Sequence, residues 1–187
     1  MTFVFTHLLT MYRFAAASPQ EQIVFGAAKP SVSNQKVYEW LEFMHNQGIG
    51  RVCCLLSQTQ LAAYPDLLDT YRQHFGIQQV CWASTTDFTL IDLETLKREI
   101  LPFLLAADQD NEKVVVHCAG GIGRTGQVLA AWLVYRRGFS NRNAIATVKK
   151  TGRNPHEAAF AAALQGKNPF KTIANFDQIL HQCRQYS

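Results

Sequence analysis

The segment Lys113-Val114-Val115-Val116-His117-Cys118 is a β-branched run that reads as a buried strand. It passes directly into a turn holding Gly120, Gly121, Gly123 and Gly126. Residues Val128 to Tyr135 are then apolar on nearly every side, which implies a helix at the centre of the fold, closed by Gly138. A strand, a glycine-rich turn and a buried helix in that order narrow the possible folds sharply. Glycines let the turn's backbone take unusual angles and approach a ligand closely. Successive N–H groups can converge on one point and form an anion-binding concavity. The positive end of the following helix dipole faces the same point.

The rest of the chain alternates in the same manner. Val37, Trp40, Leu41 and Met44 follow helical spacing and Gly48 marks a stop. Arg51 to Leu56 reads as a strand. Leu61, Tyr64, Leu68, Tyr71 and Phe75 form one helical stripe ending at Gly76, and Ile77 to Ala83 reads as another strand. Leu93, Leu96, Ile100, Phe103 and Leu104 make a further helical face, with a kink expected at Pro102. Residues 141–151, 155–164 and 176–184 read as helices. Strands alternating with helices imply an α/β fold, with a central mainly parallel sheet flanked by helices. Ligands of such sheets sit outside the carboxyl ends of the strands, and Cys118 falls at one of these ends.

What Cys118 could do there follows from its neighbours. The converging amides and the helix dipole favour a thiolate and would also hold the oxygens of a phosphate. Arg124, six positions on, can grip two phosphate oxygens with its planar fork, which lysine cannot copy. Thr125 sets a hydroxyl at the helix start, where it could assist the sulfur as a leaving group. A free cysteine is ordinarily a buried structural one; Arg124, Thr125 and four glycines set this one apart.

The order Cys, five residues, Arg-Thr-Gly resembles the signature of the protein tyrosine phosphatase superfamily, with Val116 to Gly126 carrying the match. Ile23 to Ala159 resembles a compact dual-specificity-type phosphatase domain, of the small single-domain kind. The resemblance implies a cysteine phosphatase fold. It also implies catalytic Cys118, Arg124 and Thr125, substrate phosphate held by Ala119, Gly120, Gly121, Ile122, Gly123 and Arg124, and a supporting role for His117 in orienting the loop. It further implies a general acid some thirty residues before the cysteine. Asp87 stands 31 residues before it, in Ala83-Ser84-Thr85-Thr86-Asp87-Phe88-Thr89. The proline that often precedes the family's aspartate is here Thr86. Asp92 is the second candidate acid and equally a helix cap. Arg153-Asn154-Pro155 would either buttress the phosphate loop or form a plain turn. Cys53 and Cys54 are read as core cysteines, with pairing to an oxidised Cys118 as the alternative.

The expected activity is metal-independent hydrolysis of phosphotyrosine in proteins, with phosphoserine and phosphothreonine as further substrates, through a cysteinyl-phosphate. No cofactor or metal is expected. The upstream carboxylate and the Arg-Thr-Gly ending argue against a sulfurtransferase or arsenate reductase, and a silent phospho-binding module would usually lack Cys, Arg or Asp. Phosphoinositide hydrolysis stays open, although Ala119 to Ile122 carries no lysine.

The 187 residues, 48% apolar and 17% charged, suit one globular domain. We expect an N-terminal extension over 1–22 packed on a phosphatase domain over 23–187. The net charge of +4 is mild and spread out, so an anionic substrate is expected but not nucleic acid. Five cysteines at irregular spacing form no disulfide framework, which favours the reducing cytoplasm. Met1 to Thr10 lacks the basic flank of a signal peptide, and no apolar run is long enough for a membrane span.

Overall fold

The structure is a computed structural model and describes residues 12–186. The first half of the expected N-terminal extension, including the Met1–Thr10 stretch, lies outside the described residues.

Among the described residues, five strands form one sheet: β1 (Ala15–Ala16), β2 (Val24–Ala28), β3 (Ile49–Cys54), β4 (Val80–Trp82) and β5 (Lys113–Cys118). Their order is β1-β2-β5-β3-β4. Only β1 runs antiparallel to its neighbour; every other pair is parallel. The mainly parallel sheet inferred from the alternating pattern is therefore present. The run ending in Cys118 occupies its centre, flanked by β2 and β3.

Side chains alternate between the two faces of the sheet, as strand geometry requires. Cys53, Leu55, Val114, Val116 and Cys118 face a core built with α6 (Gly123–Arg137) and α9 (Pro169–Gln185). Val52, Cys54, Leu56 and Val115 face a second core under α1 (Asn34–Asn46) and α3 (Leu67–Phe75). Helix α1 is capped by Ser33, whose side chain accepts from the Lys36 amide, and it buries Val37, Trp40, Leu41, Phe43 and Met44. In α6, every residue from Gly123 to Val134 is buried, and Gly138 closes it in the left-handed conformation. Helices α7 (Asn141–Lys150) and α8 (Glu157–Leu164) complete that side.

The expectations differ from the structure in five places. The stripe from Leu61 to Phe75 is two helices, α2 (Gln58–Leu61) and α3, because Tyr64-Pro65 breaks it: proline disfavours the helical conformation of the residue before it. Ile77–Gln79 is a 3-10 turn, so the strand is only β4. Helix α9 begins at Pro169 rather than near Phe176, with Asn168 as its cap. The helical face around Pro102 is α4 (Leu93–Thr95), a π-helical turn (Leu96–Ile100) and α5 (Leu101–Gln109) in series. The wide turn just before Pro102 absorbs the irregularity expected there. Strands β1 and β2 were not foreseen.

Residues 12–22 join the sheet side of the fold. The Ala28 amide donates to the Tyr12 carbonyl at 2.7 Å, and β1 pairs with β2. Glu21 is buried, accepts from Trp132 Nε1 at 3.0 Å, and is ion-paired with Arg137. Its carboxyl is held below the ordinary range: burial pushes it up, but the bonds from Arg137, Ile23 N–H and Trp132 outweigh that.

Candidate active site

Cys118 ends β5 and is 3% exposed. Ala119 to Ile122 form the turn, and α6 starts at Gly123. Gly121 carries φ +68°, and a Cβ there would lie 2.6 Å from the Ala27 and Ala28 backbone. The turn thus passes so close to the end of β2 that only glycine fits. The Lys29 amide donates to the Cys118 carbonyl at 2.9 Å, and the Asn154 amide donates to the Ile122 carbonyl at 3.3 Å. The region Arg153-Asn154-Pro155 therefore does lie against the loop. Arg153, buried, donates to the carbonyls of Arg13, Gly26 and Thr151, tying the loop's back to β2 and the N-terminal segment. Burial pushes the Arg153 guanidinium down to about 10.

Arg124 is 2% exposed. Its Nη1 donates to the Leu55 carbonyl at 2.9 Å, the Thr85 carbonyl at 2.8 Å and Gln60 Oε1 at 2.9 Å. Leu55 and Thr85 lie on the loops that leave β3 and β4, and Gln60 lies in α2. Its Nη2 lies 2.9 Å from Asp87 Oδ1, an ion pair without a hydrogen bond. Its Nε has no hydrogen-bond partner among the described residues. Nη1 anchors the guanidinium, Nη2 faces Asp87, and Nε is left as a buried donor available to an anion.

Asp87 thus stands in the same site as Arg124, although 37 positions separate them. Its Oδ2 accepts from Gln60 Nε2 at 2.9 Å and its Oδ1 from the Phe88 amide at 3.1 Å. Phe88 has φ +57° and is 54% exposed, so the segment bearing Asp87 is a strained surface loop. Asp92 caps α4, its carboxylate accepting from the Thr95 amide at 3.0 Å.

His117 is fully buried between Trp40 and Tyr71, whose rings lie 5.4 and 5.7 Å away. Burial pushes its pKa down to about 3, and the Arg124 and Lys29 charges add to this. It is therefore neutral at physiological pH. Thr125 Oγ1 is buried and has no hydrogen-bond partner among the described residues, so its link to the sulfur is not made in this arrangement. Cys53 faces Cys81 across β3 and β4. Burial pushes the Cys54 thiol up to about 12, which suits a core cysteine.

Two further residues lie at the site. Gln60 bridges Arg124 and Asp87, as above. Glu157, the first residue of α8, lies beside Gly123; burial and the Asp87 charge push its carboxyl up, against the Gly123 amide and the charges of Arg124 and Arg13. Ser57-x-x-Gln60 was readable as a capping box, but nothing local marked Gln60 or Glu157 as neighbours of the loop.

Residues 33–168 match the dual specificity phosphatase catalytic domain. The tyrosine-protein phosphatase CDC14 of Saccharomyces cerevisiae is 33% identical over 147 residues, covering 74% of this chain and 24% of the relative. A dual specificity protein phosphatase of vaccinia virus, OPG106, is 40% identical over 48 residues, covering 26% of this chain and 28% of the relative. The matches thus span about a quarter of the length of each of these two relatives. Among solved structures, Tk-PTP in its active form superposes with a TM-score of 0.64 at 24% identity, over 84% of this chain and 93% of the other. PTPMT1 in complex with PI(5)P gives 0.67 at 14%, over 91% and 96%. At those identities the superpositions speak for the fold, which is the cysteine phosphatase fold. Together with the matched region, they establish that the chain belongs to the dual-specificity phosphatase catalytic-domain family, within the protein tyrosine phosphatase superfamily.

Proposed function

We propose that the protein hydrolyses phosphomonoesters on proteins without a metal, acting on phosphotyrosine and also on phosphoserine and phosphothreonine. The observation that carries this is Asp87 beside Arg124, 2.9 Å apart, at the mouth of the loop that begins with Cys118. The catalytic domain would run over 23–187, with 1–22 as an N-terminal extension.

The Cys118 thiolate attacks phosphorus in line. A P–S bond forms as the P–O bond to the leaving group breaks, and Asp87 gives its proton to the departing oxygen. Arg124 and the amides of residues 119–124 stabilise charge on the three remaining oxygens. In the second step Asp87 takes a proton from water, whose oxygen attacks phosphorus. Phosphate leaves and Cys118 departs as thiolate, assisted by Thr125. Neutral His117, fixed between two rings, holds the strand end that aims the sulfur. Reducing conditions keep the thiol competent, which agrees with a cytoplasmic setting. Among the described residues, no helix is long and apolar enough to cross a membrane.

Phosphoinositide hydrolysis is the second reading. PTPMT1, solved with PI(5)P, shares the fold over 91% of this chain. The absence of a basic side chain over Ala119 to Ile122 favours protein substrates. Parallel assays on phosphopeptides and phosphoinositides decide between them. The reaction itself is tested with an aryl phosphate under reducing conditions and a chelator. Wild type should turn over, and Cys118→Ser should lose at least about 10⁴-fold. Equal inertness of the two would remove the enzymatic reading.

A further inference from the structure

We propose that Gln60 is a positioning residue that locks the general acid and the phosphate-binding arginine into one unit, with its amide held in a single orientation. The inference rests on the roles given above to Asp87 and Arg124. Gln60 makes four fixed contacts. Its Oε1 accepts from Arg124 Nη1 at 2.9 Å and from the Ser57 amide at 3.2 Å, and its Nε2 donates to Asp87 Oδ2 at 2.9 Å. Its own amide donates to Ser57 Oγ at 3.2 Å, which anchors its backbone.

The orientation follows from chemistry. A guanidinium and a backbone N–H can only donate, so both require the oxygen of the amide. A flipped Gln60 would set its NH2 against two donors and its oxygen against a carboxylate. The side chain is therefore a one-way spacer: oxygen toward Arg124, nitrogen toward Asp87.

Its reach matters because of where its partners sit. Asp87 is on a strained loop after β4, whereas Gln60 sits in the capped short helix α2 after β3. Asp87 Oδ1 is already taken by Arg124 and the Phe88 amide. Gln60 is the side chain that fixes Oδ2 and hence the rotation of the carboxyl. Substrate that draws Arg124 toward phosphate would release Oδ1, leaving Gln60 to keep the acid over the leaving group.

Gln60→Glu is the informative variant. It keeps the capping box and both acceptor contacts, so the turn stays folded, but it replaces the donor facing Asp87 with a like charge. Each variant is assayed on phenyl phosphate, whose leaving group needs a proton, and on an activated nitrophenyl phosphate, whose leaving group does not. For Gln60→Glu, kcat should fall about 10- to 100-fold further on phenyl phosphate than on the activated ester, the size expected for one hydrogen bond to a charged group. In the Asp87→Asn background, adding Gln60→Glu should change that ratio by less than about threefold. Equal loss on both esters, or an undiminished loss in the Asp87→Asn background, overturns the proposal. If Asp87→Asn alone shows no leaving-group dependence, the acid assignment fails instead.

Discussion

The two halves of the site are built by opposite means. The Cys118 half is made of backbone. It has a central strand, a turn that fits only as glycine at Gly121, a buried helix, and main-chain bonds from Lys29 and Asn154. The Asp87 half is made of side chains. The loop leaves a three-residue strand, holds an exposed Phe88 at positive φ, and is kept in place by Gln60 and Arg124. Backbone architecture binds an anion without reorganising, which electrostatic catalysis requires. A loop held by a few side-chain contacts can let substrate in and still deliver a proton. Rigidity is placed where charge must be met, and compliance where a group must arrive.

Three substitutions probe this contrast, from the strongest effect to the weakest. Asp87→Asn removes the proton from the side-chain half. It should lower kcat by about 10² to 10⁴ on an unactivated ester and by far less on an activated one, as steady-state assays on the two would show. If both esters suffer alike, the division of labour is wrong. Gly121→Ala attacks the backbone half, where the new Cβ would meet the Ala27 carbonyl at 2.6 Å in a left-handed conformation. A loss of about 2–3 kcal/mol is expected, read from urea denaturation, together with a sharp fall in affinity for inorganic phosphate. Unchanged stability would mean that the turn has more room than its geometry indicates. Asp92→Ala removes a helix cap. It should cost about 1 kcal/mol as a lost cap and leave the leaving-group dependence of kcat as it is; a large kinetic effect would show that Asp92 is the acid.

The backbone half was also the half legible in the sequence. Strand β5 was read with its observed bounds, and the buried helix and its glycine stop followed from local pattern. Parts of the fold made of small residues were hidden. Strand β2 reads Val-Phe-Gly-Ala-Ala, with glycine at its centre because a side chain at Gly26 would fall 2.8 Å from Arg153 Nη2 and the Thr125 methyl. Close packing against the loop removed the very residues that advertise a strand. Family spacing alone marks Asp87, and no feature of the sequence marks Gln60 as a neighbour of the loop. Its contacts to Asp87 and Arg124 cross 27 and 64 positions, which no local periodicity encodes. Its link to Ser57 was visible, and it sets where that side chain begins but not where it reaches.

Strand β2 also bears on how the protein can be cut. The region that matches the family starts at residue 33, after both β1 and β2. A fragment begun there would keep every residue of the proposed chemistry. It would also lose the carbonyl of Gly26 that holds Arg153, the backbone on which Gly121 rests, and Glu21, which caps Trp132 and Arg137. Strand β5 would become an edge with open hydrogen-bonding groups, a surface that invites aggregation. The stretch that matches the family is thus shorter than the stretch from which the sheet and the floor of the phosphate loop are built.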